Sequence, residues 1–95
     1  MTRSVTPTPA FLKALKRLPP HRQKATVRAL TKFMGDPILP SLDFRALSGA
    51  AGYHIIDPGS GDRVILRKKE EGPVETYEAV DVGPHDNVYR AWNRR

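Results

Sequence analysis

The chain has 95 residues, a formal net charge of +6, 39% apolar and 27% charged residues, and no cysteine. That length suits a single domain, 1–95, with one modest core, and the missing thiols exclude a disulfide framework and a thiolate metal site. No run approaches the ~18 apolar residues of a membrane span, and MTRSVTPTPAF lacks the apolar stretch of a signal peptide, so a soluble, cytoplasmic protein is expected.

The charge is uneven along the chain. Residues 1–35 hold eight basic residues and no Asp or Glu, whereas 36–95 hold eight basic and ten acidic ones. A patch of that kind attracts phosphate backbones or acidic protein partners through salt-sensitive forces. A solvated helix face rich in lysine and arginine has the same composition.

Residues 3–6 (RSVT) suit a brief edge strand. Thr8-Pro9 then reads as an N-cap followed by proline at the first helical position, and Phe11, Leu12, Leu15 and Leu18 recur at helical spacing, predicting a helix over 9–18. Pro19-Pro20 ends it, because proline restricts its predecessor and supplies no amide donor. Pro20 opens a second helix with a stripe of Val27, Leu30 and Met34, Phe33 beside it, and Gly35 placed for a left-handed cap. In the connector 36–52, Leu42, Phe44 and Leu47 are expected to pin the chain to the core.

Beyond the connector the period changes to two. YHIID (53–57), DRVILRKKE (62–70) and VETYEAVDV (74–82) read as strands with short turns between them, hence an antiparallel meander. His85 to Arg94 predicts a short final helix with Val88 and Trp92 inward. The fold class is α+β: two N-terminal helices packed on a small twisted antiparallel sheet, with a short C-terminal helix.

Alternation along 62–70 places Val64 and Leu66 on one face and Arg63, Ile65, Arg67 and Lys69 on the other. Guanidinium forks match phosphate oxygens, so the second face suits a phosphate; it also suits an ordinary solvent-facing side. His85 has the right ordinary pKa for proton transfer near neutrality. Asp86 either orients it or lies in the first helical turn, and Tyr89, four residues on, projects to the same side of a helix. As plain structure, the three are a cap and a half-buried aromatic. His21 is expected at the surface and His54 in strand packing. The histidine spacing argues against a zinc site, so no metal or cofactor is expected, and nucleotide-binding and serine-hydrolase motifs are missing from the sequence.

The basic helix pair, GDRVIL, VDVG and PHDNVY together resemble the RelE/ParE superfamily of type II toxin–antitoxin systems, over about Phe11 to Trp92. The ending VDVGPHDNVYRAWNRR is similar to that of a RelE-like subgroup with an HDxxY motif, some members of which are attached to helicases. The resemblance implies a microbial-RNase-like fold and a metal-independent endoribonuclease, an mRNA interferase that cleaves mRNA on the ribosome by 2′-hydroxyl attack. It also implies a cognate acidic antitoxin. Position by position, Arg63 stands at the phosphate-stabilising arginine, with Arg67 beside it; His85 at the proton-transfer histidine; and Tyr89 at the aromatic that positions RNA. Lys68, Lys69, Lys13, Lys16 and Arg17 would grip RNA backbone. Two departures stand out: Ile56 occupies a position where many RNase members carry arginine or glutamate, and only Asp57 and Asp86 are at hand as a base. The alternatives are a non-catalytic ParE-like gyrase inhibitor, a protein-interaction accessory module, or a generic RNA-binding domain.

Overall fold

The computed structural model describes residues 3–35, 38–70 and 74–84. An edge strand, β1 (Arg3–Pro7), leads into α1 (Pro9–Lys16) and α2 (Pro20–Phe33). A 3₁₀ turn at Pro40–Leu42 is followed by β2 (Arg45–Ala46), β3 (Tyr53–Ile56), β4 (Asp62–Glu70) and β5 (Glu75–Pro84). These strands form one sheet in the order β1-β5-β4-β3-β2.

Thr8 starts α1 and anchors it. Its Oγ1 accepts from the Phe11 amide at 3.2 Å, satisfying one of the donors a helix start leaves open. The same hydroxyl donates to the Ala79 carbonyl at 2.9 Å, and the Thr8 amide reaches that carbonyl at 3.0 Å, so the cap also ties the helix to β5. At the far end of α2 the expected left-handed cap at Gly35 is not formed; among the described residues only Gly49, Gly52, Gly59, Gly61 and Asp43 have positive φ. Arg3 takes the terminal carbonyls instead. Its amide donates to Met34 O at 3.2 Å and its Nε to Phe33 O at 2.8 Å, while Nη2 bonds Gly35 O. A cation at a helix C-terminus is also favoured by the helix dipole.

The buried face of α2 is rotated from the expected one. Thr26, Ala29 and Phe33 point inward, and Val27 is 53% exposed. Thr26 tolerates burial because its hydroxyl donates to Arg22 O at 2.9 Å, within its own helix. A threonine counted as polar therefore hid the true stripe.

The meander forms as expected, with β3 antiparallel to β4 and β4 to β5. The sheet as a whole is mixed, not antiparallel, because β1 runs parallel to β5, from Arg3 opposite Glu75 to Pro7 opposite Ala79. Two helices between β1 and the meander bring the edge strand back in that direction. Alternation on β4 holds: Val64 and Leu66 join Phe11, Leu18, Ala29, Phe33, Tyr77 and others in the core beneath the helices. Ile65 faces the other way, into a smaller cluster with Leu47, Ala50 and Ile55. The connector divides between them, Leu42 on the helix side and Leu47 on the other. The expected final helix lies outside the described residues.

Candidate functional site

Arg63 is the second residue of β4 and pairs in register with Gly83. Its Nη1 donates to the Asp62 carbonyl at 3.0 Å and lies 3.5 Å from Asp57 Oδ1. Its Nε is buried and has no hydrogen-bond partner among the described residues. An unmatched buried donor costs free energy unless something fills it, so Arg63 keeps one interaction in reserve. Asp57 is held in place by the turn: its Oδ1 accepts from the Gly59 amide at 2.8 Å, and Gly59 takes φ 86°.

Arg67 lies four residues along the same strand, about 13 Å away at the usual strand rise. Its Nη2 bonds Glu78 Oε1, and Lys69 Nζ lies 3.8 Å from Glu78 Oε2. The Glu78 hydrogen bond and charge, in that order, raise the Arg67 pKa. Thus the face expected to hold a phosphate is divided into two carboxylate-matched units. Lys68 points to the helix side of the sheet, where its charge acts on His54. Lys13, Lys16 and Arg17 are exposed on and just after α1, across the sheet from Arg67. His85, Asp86 and Tyr89 lie outside the described residues. Pro84, the last described residue before His85, pairs with Asp62, next to Arg63.

One pair was not legible in the sequence. Asp62 is fully buried and accepts from Arg22 of α2, through Nε at 3.0 Å and through Nη2. Ser60 Oγ adds a third bond at 2.9 Å. Burial pushes the Asp62 carboxyl up, but the Arg22 and Ser60 hydrogen bonds and the Arg22 charge outweigh it and hold the group below the usual carboxylate range. Arg22 and Asp62 are 40 residues apart, and no local pattern links them. Beside this pair a cavity of about 350 Å³ opens between the helices and the end of β5, lined by Ala14, Arg17, Leu18, Arg22, Asp81 and Gly83 among others.

Among the described residues no three His, Asp or Glu side chains lie together as a metal site, and no helix is long and apolar enough to cross a membrane. No family model and no curated protein matches the sequence. Solved structures do. The chain is similar to a mutant of the Escherichia coli toxin RelE in the free state, with TM-score 0.71 and 18% identity over 100% of this chain and 98% of that one. It is also similar to the toxin–antitoxin complex RelBE2 of Mycobacterium tuberculosis, with TM-score 0.66 and 22% identity over 90% and 100%. The E. coli DinJ–YafQ toxin–antitoxin complex gives TM-score 0.68 and 14% identity over 94% and 99%. At these identities the likeness is one of fold: the described residues have a RelE-like fold.

Proposed function

We propose that this protein is the toxin of a type II toxin–antitoxin system that cuts mRNA on the ribosome without a metal. The observation that carries the reading is the likeness in fold, over 90% or more of the chain, to RelE, RelBE2 and DinJ–YafQ, the last two being toxin–antitoxin complexes. The basic first third, the Arg63 donor with no partner among the described residues, and the PHDNVY ending support it. In this reading the ribose 2′-oxygen attacks the adjacent phosphorus and the bond to the 5′-oxygen breaks, leaving a 2′,3′-cyclic phosphate and a 5′-hydroxyl. The attacking hydroxyl gives up a proton and the leaving oxygen takes one. His85 performs one of these transfers, and Arg63 stabilises charge on the phosphorane. Arg67 joins it only by releasing Glu78. Tyr89 positions a base, while Lys13, Lys16, Arg17, Lys68 and Lys69 hold RNA backbone. The implied partners are mRNA, the ribosome and an acidic antitoxin, all in the cytoplasm.

Induced expression should arrest incorporation of labelled amino acid, and His85→Ala or Arg63→Ala, shown folded and expressed, should relieve the arrest. Full arrest by both variants would remove these residues from the site. A second reading, a non-catalytic ParE-like gyrase inhibitor, is favoured by the carboxylate partners of Arg63 and Arg67. Its mark is a DNA-damage response with mRNA left intact.

A further inference from the structure

The segment 38–52 is held to the sheet by few backbone bonds. β2 contributes two paired residues, Arg45 opposite Ile55 and Ala46 opposite His54. Beyond it, the Leu47 amide donates to Tyr53 O at 2.9 Å, Asp57 N to Leu42 O at 2.7 Å, Tyr53 N to Ala50 O at 3.1 Å and Lys68 N to Gly52 O at 3.0 Å. Leu42, Leu47 and Ala50 are buried in the two clusters, and Phe44 packs beside them, its ring meeting Phe33 at 5.1 Å, Tyr77 at 6.2 Å and His54 at 5.0 Å. The His54 contact is a stack, 13° from parallel.

We propose that His54 is an acid-sensitive latch, its neutral imidazole holding segment 38–52 on the sheet and its protonation releasing it. His54 Nδ1 is buried with no hydrogen-bond partner among the described residues. A neutral imidazole can leave that nitrogen as a bare lone pair, whereas an imidazolium carries N–H on both nitrogens. Protonation therefore forces a charged donor with no acceptor against the aromatic cluster. The Phe44 face offsets part of that cost.

The surrounding charges act in both directions. Lys68 on β4 opposes protonation and Glu75 on β5 favours it. The Glu75 carboxylate already accepts from Tyr77 Oη at 3.1 Å, and burial pushes the Tyr77 phenol up to about 12, so it stays neutral. On the segment itself Arg45 is paired with Asp43 at 2.9 Å, and Arg3 of β1 lies 5.3 Å over the far ring, Phe33. Burial first and Lys68 second hold the imidazole below its ordinary value. A histidine lowered in the fold contributes stability that is complete above the unfolded value near ~6.5 and is lost as pH falls through it towards the folded value. Within that window each pH unit raises the opening constant by up to about tenfold.

The latch rests on packing and is independent of the RNA reading. The test is a side-chain NMR titration of His54 in the full chain, with amide hydrogen exchange at Leu47 measured against Val64 and Leu66 of β4. His54 should titrate below 6.5, and the Leu47 protection factor should fall with acidification while those of β4 hold. His54→Phe, which keeps the stack, should flatten the acid response. Titration at or above 6.5, a Leu47 protection factor that does not change with pH, or the same acid loss in His54→Phe would overturn the latch. The wild-type titration decides the matter even where the variant fails to fold.

Discussion

The helix layer and the sheet carry the same kinds of cation in opposite surroundings. Lys13, Lys16 and Arg17 belong to a stretch of 35 residues with no Asp or Glu, and they stand exposed. On the sheet side three arginines meet a carboxylate: Arg63 with Asp57, Arg67 with Glu78, Arg45 with Asp43. A matched cation spends its charge within the fold and contributes little field at a distance. A row with no carboxylate partner among the described residues keeps its field and can steer anionic partners. In the proposed function, long-range attraction would belong to the helix layer and short-range phosphate chemistry to the sheet end at Arg63.

The most severe way to break this comparison is to detach one layer from the other. Phe33 is fully buried and meets both Phe44 and Tyr77, so Phe33→Ala should cost about 4 kcal/mol in chemical denaturation. A cost near that of a surface change would mean that the helices are held elsewhere.

Asp62→Ala breaks the ion pair that joins α2 to the start of β4. The expected loss is about 2 kcal/mol, below the value for a fully buried pair because the Arg22 side chain is 27% exposed. Its pH signature has a definite sign. Asp62 is lowered in the fold, so its contribution is present above the unfolded value near ~4 and lost as pH falls through the lower folded value. Acid unfolding curves should therefore be steeper for the wild type than for the variant.

Glu78→Gln makes the sheet resemble the helix layer by freeing Arg67 and Lys69. Stability should change by about 0.5 kcal/mol or less, since the Arg67 side chain is 44% exposed. RNA affinity at low salt should rise. A fall would show that Glu78 aligns the cations instead of occupying them. Replacing Lys13, Lys16 and Arg17 together by alanine should leave stability nearly unchanged. Each lost phosphate contact should reduce the salt dependence of RNA binding by about 0.7 in log–log slope. An unaltered slope would make the helix layer a merely solvated surface.

What was legible in the sequence were features that depend on near neighbours: the Thr8 cap, the proline break, the meander, and the Val64/Leu66 alternation. What escaped it depends on distant partners. The parallel direction of β1 is set by its pairing with β5, some 70 residues on. Gly35 looked like a cap because nothing nearby shows that Arg3 takes the same carbonyls. Asp62 looked like the polar start of a strand until Arg22 was found beside it. Of the candidate site, alternation along β4 gave the face of Arg63 and Arg67, while His85 and Tyr89 lie outside the described residues; Asp57, the carboxylate beside Arg63, comes from the preceding turn.

The most direct test of the account is to map mRNA 5′ ends by primer extension after brief induction of the wild type, Arg63→Ala and His85→Ala. New ends within translated codons that vanish in both variants are the predicted result. Growth arrest with intact mRNA and an induced DNA-damage response would contradict it.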